Sequence, residues 1–121
     1  MKHQLLIAGI GIVTLMAVNS ASAADVAKGE ASFKKNCAVC HSVKAGEKKI
    51  GPNLAGLAGR QAGAEAGFKY SDGFTGVAWD AANLDKYLEN PKQTFPKTKM
   101  TFPGMKDAAE RADVMAFLGV K

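Results

Sequence analysis

The chain has 121 residues and a formal net charge of +5 at pH 7, from 16 basic and 11 acidic side chains. This length leaves room for one small domain. The basic side chains form no dense tract interleaved with aromatic residues, which argues against a nucleic-acid-binding surface. The mild basic excess instead favours an acidic protein as docking partner.

The first 23 residues have the pattern of a secretory signal peptide. Lys2 provides a positive start, an apolar run follows from Leu5 to Val18, and Ala21-Ser22-Ala23 has the small residues of a cleavage site. We expect cleavage after Ala23, a mature domain over residues 24–121 and a location in a bacterial periplasm. An uncleaved anchor is the alternative, but the apolar run is shorter than the roughly 20 residues that cross a bilayer.

The mature chain begins with a predicted helix over Ala24–Asn36. Asp25 is a suitable N-cap, and Val26, Gly29 and Phe33 fall on one face. Glycine is a poor helix former, so Gly29 indicates either a close contact with another helix or a tolerated surface position.

Directly after this helix comes the segment Cys37-Ala38-Val39-Cys40-His41. This is the attachment pattern of a c-type haem, in which two thiols add to the vinyl groups of the porphyrin and the histidine binds the iron. A thioredoxin-type motif would need flanking strands, and a structural zinc site would need four ligands. The only other histidine, His3, lies in the predicted leader, and a Cys37–Cys40 disulfide would close a loop too small to add much stability.

Long loops and a second helix are predicted after this motif. Residues 42–77 contain many glycines and favour loops, with no helix longer than about two turns. A second helix is predicted over Asp80–Asn90, because Asp80 can cap it and Pro91 prevents its continuation. Three prolines then predict a stiff loop without regular structure over Pro91–Gly104.

The last predicted helix, Asp107–Leu118, is the best defined. Asp107 is a strong N-cap, Glu110 occupies the acidic position of a capping box, and Gly119 ends the helix.

A methionine is the natural candidate for a second iron ligand, because a thioether closes the other face of a haem and raises its potential. The mature chain has Met100, Met105 and Met115. Met115 falls within the last helix, where packing is the ordinary role. Met100 is the better candidate, because the stiff run over residues 95–99 can hold it; a plain core position is the alternative.

Together these segments resemble the class I cytochromes c of the mitochondrial and small bacterial periplasmic type, over about residues 25–118. The matching pieces are, in chain order, Lys28-Gly29, Phe33, the haem motif, Gly51-Pro52-Asn53-Leu54, Gly59-Arg60, Gly67-Phe68-Lys69-Tyr70, Trp79, Tyr87-Leu88-Glu89-Asn90-Pro91-Lys92, Thr98-Lys99-Met100, Phe102 and Gly104. The resemblance implies an all-α fold with three main helices and long loops wrapped around one covalently bound haem c.

The resemblance also implies roles for individual residues. His41 and Met100 would be the iron ligands, and the carbonyl of Pro52 would accept the proton on His41 Nδ1. The other implied contacts are to the haem or its ligands: Tyr70 and Trp79 as donors to a propionate, Arg60 as the cation beside one, Tyr87 and Thr98 as hydrogen-bonding groups near the methionine and inner propionate, and Phe102 over the haem edge. Gly29, Phe33 and Phe117 would form the crossing of the first and last helices.

The chain departs from the mitochondrial pattern at several positions. The turn between Tyr70 and Trp79 is two residues shorter, and the asparagine usual near the inner propionate has no clear counterpart. Asn36 and Asp107 replace common lysines, so we expect partner recognition to differ from the mitochondrial case.

The sequence therefore predicts a soluble, monomeric single-electron carrier of a respiratory chain, without enzymatic activity. A quinol–cytochrome c reductase-type donor and a terminal oxidase or reductase acceptor are the expected acidic partners. Six lysines are candidates for steering them: Lys48, Lys49, Lys92, Lys97, Lys99 and Lys106. Two rivals are a peroxide- or gas-reactive haem protein with an open iron face and a fixed haem subunit of a larger complex. The first would need a distal acid–base group, for which the mature chain offers no second histidine.

Overall fold

The computed structural model describes residues 9, 11, 12 and 23–121, so the predicted signal peptide lies almost entirely outside the described residues. Four helices follow one another: α1 (Val26–Asn36), α2 (Ala81–Glu89), α3 (Pro91–Thr94) and α4 (Ala108–Phe117). In this part of the chain there is no strand, and the only bridge pairs Gln61 with Ala78. The predicted all-α fold is confirmed. None of the helices described is long and apolar enough to cross a membrane.

The three main helices begin where their aspartates predict. The Asp25 side chain accepts a hydrogen bond from the Lys28 amide at 3.0 Å, and the Asp80 side chain accepts one from the Asn83 amide at 2.8 Å. Asp107 caps α4 by accepting from two amides of its first turn, at 2.8 and 3.2 Å. Each cap satisfies amides that have no partner inside the helix.

The prediction of a loop without regular structure over Pro91–Gly104 is wrong at its start, where α3 forms one helical turn. Proline suits the first helical position, because its missing N–H would have no partner there and its φ angle is already helical. The turn closes through the amide of Phe95, which donates to the carbonyl of Pro91 at 3.0 Å.

The first and last helices cross in close contact at Gly29. A Cβ atom added to Gly29 would lie 1.9 Å from the carbonyl oxygen of Asp113, so only glycine fits there. Phe33 and Phe117 pack beside it with ring centroids 5.3 Å apart. The Asp113 carboxylate also accepts from the amide of Asp25 at 2.7 Å. The close helix contact predicted from Gly29 is therefore confirmed, and it joins the two ends of the domain.

Glu110 does not form the predicted capping box. Its carboxylate instead accepts from the hydroxyl of Ser32 on α1 at 2.6 Å. Asn36 donates to the same hydroxyl at 3.2 Å. Glu110 fits the capping-box pattern in the sequence, but in the structure it contributes to the contact between α1 and α4.

One buried charge connects α4 to α2 and to the chain before α4. Arg111 is 7% exposed. It donates to Asp85 on α2 at 2.7 Å and to the carbonyls of Met105 and Lys106 at 2.9 and 3.0 Å. These bonds fix the segment that follows Met100. The apolar core consists of Leu57, Ala62, Trp79, Leu84, Tyr87, Leu88, Phe95, Met105, Val114 and Val120.

Backbone hydrogen bonds hold the loop after the haem motif against the chain that leads into α2. Gly59 donates to the carbonyl of Trp79 at 3.0 Å, Trp79 donates to Arg60 at 2.9 Å, and Ala62 donates to Val77 at 2.8 Å. The loop has no regular secondary structure, but these bonds fix its path and position the residues between the haem motif and α2.

Candidate functional site

The motif residues form a turn that continues from the end of α1. The amide of Cys37 donates to Phe33 at 2.8 Å, and the amides of Cys40 and His41 both donate back to the carbonyl of Cys37, at 3.0 and 2.9 Å. Both cysteines are half-buried. This turn brings two thiols and an imidazole together on one short segment.

The ring of His41 is oriented by one hydrogen bond. Its Nδ1–H donates to the carbonyl of Pro52 at 2.8 Å. A carbonyl can only accept, so the proton sits on Nδ1 and the lone pair of Nε2 is left to bind a metal. Burial lowers the pKa of His41, although the bond to Pro52 opposes that shift. Burial, the larger effect, favours the neutral ring, and the bond to Pro52 determines that Nε2 is the free nitrogen.

Gly51 lies directly against this ring. A Cβ atom at Gly51 would be 2.6 Å from Cε1 and 2.9 Å from Nδ1 of His41. Any side chain here would push the imidazole away from Pro52. The sequence comparison included Gly51 in a matching segment but gave it no role, because the need for glycine becomes visible only once residues 41 and 51 are seen in contact.

Cys37 is not a reactive thiolate in this environment. Burial, followed by the charges of Cys40 and Glu110, raises the pKa of Cys37 to about 11. Redox-active Cys-x-x-Cys motifs instead depend on a lowered thiol pKa. The raised pKa of Cys37 therefore argues against a redox-active thiolate, and attachment of the haem through these thiols stays a prediction.

A second group of polar contacts surrounds Met100. The hydroxyl of Tyr87 donates to Met100 Sδ at 3.9 Å and lies 3.1 Å from Thr98 Oγ1. The amide of Met100 donates to the same threonine oxygen at 3.3 Å. Burial raises the pKa of Tyr87, and the bond from Thr98 partly offsets this, so the phenol remains protonated and able to donate. The sulfur of Met100 is therefore held in place by α2 and by its own loop.

The other two methionines have ordinary packing roles. Met105 is 5% exposed and belongs to the core cluster, and Met115 packs against that cluster from α4.

Arg60 and Tyr70 meet at Glu65, a residue that the sequence did not single out. Arg60 donates to the Glu65 carboxylate at 3.0 Å and to the carbonyl of Asn53 at 2.8 Å. The Tyr70 hydroxyl accepts from the amide of Glu65 at 3.2 Å. The structure thus gives both side chains protein partners, and their implied contacts to a propionate stay predictions. No periodic or motif signal could have identified Glu65.

Trp79 and Phe102 lie on different parts of the core. Trp79 is 6% exposed and its ring is tilted against that of Tyr87, with centroids 5.2 Å apart. Phe102 is half-buried against the core cluster. It lines a cavity of about 210 Å³ together with Lys35, Lys106 and Glu110. Their apolar faces suit a large flat cofactor, and their implied roles at the haem remain predictions.

Phe74 was also missed, although it is the most connected ring of the structure. It stacks on Tyr70 with centroids 5.1 Å apart and on Phe95 at 4.1 Å. It also packs against Trp79 at 6.1 Å and edge-on against Tyr87 at 5.8 Å. Phe74 stands in the predicted turn between Tyr70 and Trp79, where sequence pattern gives no sign of burial.

The residues described so far fit a covalently attached haem. Two thiols lie beside a neutral imidazole with a free Nε2, a thioether is held by a tyrosine, and aromatic side chains provide an apolar wall. An all-α domain of this size with such a site defines the class of small c-type haem proteins.

Comparison with known proteins agrees with this class. A sequence model of the family Cytochrome c matches residues 26–119. Cytochrome c2 of Rhodomicrobium vannielii is 44% identical over 95% of this chain and 94% of its own length. Cytochrome c of Guizotia abyssinica is 50% identical over 81% of this chain and 91% of its own, and that of Arabidopsis thaliana is 48% identical over 78% and 87%. The chain belongs to the cytochrome c family.

Membership of this family confirms the main functional predictions. The protein is an electron carrier that binds one covalent haem c, and it is not an enzyme. It exchanges electrons with other redox proteins.

Proposed function

We propose that this electron carrier works in a bacterial periplasm and that His41 and Met100 are the axial ligands of its iron, with Cys37 and Cys40 as the covalent attachments. The observation that carries the proposal is the independent orientation of both ligands. His41 is held by Pro52 at 2.8 Å, and Met100 is held through Tyr87 and Thr98. Ligands fixed in advance by the protein need little rearrangement when the charge of the site changes.

When bound, the haem supplies an iron that gains and loses one electron. The residues of this chain determine how easily that happens. The imidazole of His41 carries its proton on Nδ1, and the bond to Pro52 increases the basicity of Nε2. The hydroxyl of Tyr87 withdraws electron density from Met100 Sδ, which makes the sulfur a weaker donor and favours the reduced state. The core aromatic residues exclude water from the same region.

The six lysines predicted to steer partners support docking to acidic proteins. Lys48, Lys49, Lys92, Lys97, Lys99 and Lys106 are all exposed. A basic surface accelerates encounter with an acidic partner and makes the rate fall with ionic strength. We propose a quinol–cytochrome c reductase-type donor, a terminal oxidase or reductase as acceptor, and a monomeric carrier that moves between them.

The surroundings of Asn36 support a partner recognition different from the mitochondrial case. Asn36 donates to Ser32 at 3.2 Å and to Glu110 at 3.5 Å. An uncharged amide therefore occupies a position where the resembling proteins commonly present a lysine.

The start of the described domain is compatible with removal of the leader after Ala23. Ala23 and Ala24 are exposed and lie outside any helix, and the amide of Asp25 makes a contact with α4. Cleavage after Ala23 would leave this contact intact. Mass spectrometry of protein purified from a periplasmic fraction should give a mature chain that begins at Ala24. A chain that retains residues 1–23 in the membrane fraction would contradict the proposal.

Substitution of Met100 tests the ligand assignment. We expect Met100→Ala to keep the haem attached, to lose the methionine-to-iron absorption band of the oxidised protein, and to lower the potential by an amount on the order of 0.1 V, because a thioether ligand raises it. The opened iron should bind carbon monoxide when reduced. Met115→Ala is the control, because it also shortens a half-buried methionine, and within the described residues Met115 Sδ makes no hydrogen bond to Tyr87 or Thr98.

Three results would each contradict a part of the proposed function. An unchanged potential without carbon monoxide binding in Met100→Ala would exclude Met100 as a ligand. A wild-type protein that already binds carbon monoxide rapidly would favour the rival function of a gas- or peroxide-reactive haem protein. Retention of haem after acid–acetone extraction of the Cys37→Ala/Cys40→Ala double variant would contradict covalent attachment through the motif.

A further inference from the structure

An open cleft of about 370 Å³ lies on the side of the molecule where the turn after Tyr70 faces α3. Its lining residues are Asp72, Gly73, Thr75, Val77, Thr94, Phe95, Pro96 and Lys97. Asp72, Thr75 and Lys97 place polar groups in a largely apolar lining, and the cleft is open to solvent. Phe95, which is only 6% exposed, forms part of its inner wall.

A pair of stacked rings lies beside this wall. Phe74 and Phe95 have centroids 4.1 Å apart and planes 25° from parallel. Both rings also meet Tyr87 edge-on, at 5.8 Å from Phe74 and 5.7 Å from Phe95. The pair therefore touches the cleft on one side and, on the other, the tyrosine that holds Met100.

The turn that carries Phe74 is closed against the loop before it. The amide of Phe74 donates to Ser71 at 3.2 Å, and that of Thr75 donates to Gly73 at 2.9 Å. A Cβ atom at Gly63 would lie 2.5 Å from the Phe74 carbonyl, so the two loops approach closely. The ring of Phe74 is thus presented to Phe95 by a turn that is itself fixed.

We propose that Phe74 is a positioning residue that seals the Met100 side of the site against water from this cleft. The proposal rests on the proposed function, because it takes Met100 as the iron ligand. The hydrogen bond from Tyr87 to Met100 Sδ is long, at 3.9 Å. Sulfur is a weak acceptor, so a water molecule within reach of the phenol would be a better partner for its proton. The stacked rings prevent this exchange by filling the space next to Tyr87.

The seal also affects how readily Met100 leaves the iron. If the Tyr87 hydroxyl donates to water instead, Met100 Sδ loses the one polar contact that the described residues give it, and its loop can move outward more often. An external ligand of ferric haem, such as cyanide, enters only after Met100 has left. The rate of cyanide binding therefore measures the opening that Phe74 is proposed to suppress.

The test compares Phe74→Ser with Phe68→Ser in the haem-loaded protein. Phe68 is a matched control, because it is a half-buried phenylalanine of the same loop region that packs on Tyr70 at 4.7 Å. Within the described residues it makes no aromatic contact to Trp79, Tyr87 or Phe95. Phe74→Tyr keeps the stacked ring and serves as the rescue variant. The readouts are the cyanide-binding rate, the methionine-to-iron band and the reduction potential.

We expect Phe74→Ser to bind cyanide about tenfold faster, since the lost aromatic contacts are worth about 1.4 kcal/mol and this corresponds to a factor of ten. Its potential should fall, because water stabilises the more highly charged oxidised iron. Phe68→Ser and Phe74→Tyr should stay within about twofold of the wild type. Equal acceleration in Phe74→Ser and Phe68→Ser, or no acceleration in Phe74→Ser, would overturn the proposal.

A second pair of variants decides the question if Phe74→Ser does not fold. Phe74→Leu keeps an apolar side chain but loses the flat ring, and we expect acceleration of about threefold relative to Phe68→Leu. No difference between the two leucine variants would overturn the proposal. The wild-type spectrum separates this result from failure of the proposed function. Absence of the methionine-to-iron band would overturn the Met100 assignment, whereas its presence with equal cyanide rates would overturn only the role of Phe74.

Discussion

The crossing of α1 and α4 and the loops between them are built in different ways. At the crossing, Gly29 and Phe33 meet Asp113 and Phe117 through direct contact of protein with protein. The loops of residues 42–79 are joined by backbone bonds and by aromatic contacts, and they contain several of the residues that would hold the haem. The comparison shows that contacts within the polypeptide specify the crossing, whereas the loops are arranged to bind a haem that the polypeptide itself does not supply.

The largest loss in the free energy of unfolding is expected from a substitution at the crossing. Gly29→Val places a side chain against the Asp113 carbonyl, and we expect a loss of about 3 kcal/mol or more in the free energy of unfolding. Denaturant unfolding of the haem-loaded protein measures it. Ala27→Val is the control, because residue 27 lies on the exposed side of the same helix and should cost only about 0.5 kcal/mol.

Measuring the reduction potential of Gly29→Val tests whether the crossing and the loops act separately. In Gly29→Val the reduction potential should remain at the wild-type value while the protein is folded, since the described hydrogen bonds of Met100 go to Tyr87 and Thr98 and none to the crossing. A large shift in potential would show that the two regions are not separable.

The next effect concerns Arg111, which connects α4 to α2 and to the segment before α4. Arg111→Met leaves the carbonyls of Met105 and Lys106 without donors and Asp85 without its partner, and we expect a loss of about 2–3 kcal/mol. Lys34→Met is the comparison, because Lys34 pairs with Glu30 at 2.9 Å while 71% exposed. An exposed pair of this kind contributes about 0.3–0.5 kcal/mol. Similar losses in the two variants would contradict the role given to Arg111.

Tyr87→Phe is expected to have the smallest effect on stability, but it should also change the reduction potential. Loss of the hydroxyl removes the bonds to Thr98 and Met100 and should change the free energy of unfolding by about 1 kcal/mol. The potential should fall, because Met100 Sδ becomes a better electron donor to the oxidised iron. Thr98→Val removes a neighbouring hydroxyl but leaves the phenol in place, so its effect on potential should be smaller. A rise in potential in Tyr87→Phe would contradict the direction of the argument.

How much the sequence could predict depended on whether the signal was local. Asp25, Asp80 and Asp107 were identified as caps because a cap depends on amides two or three residues away. The turn α3 was missed because Pro91 was taken only as a helix terminator, although proline equally suits a first helical turn. Glu65 and Phe74 were missed because their partners are set by loop geometry, which has no periodic pattern. Met100 was favoured over Met105 and Met115 from its proline-flanked position, and the contact with Tyr87 now supports that choice.

The bond from the Asp25 amide to the Asp113 carboxylate spans 88 positions in sequence. Small domains often secure such distant segments with a disulfide, but both cysteines of this chain belong to the haem motif. Here the first and last helices are joined by non-covalent contacts of the Asp113 carboxylate, of Gly29 and of two phenylalanine rings. We expect these contacts to open together, so amide protons of the first and last helices should exchange with solvent at matching rates.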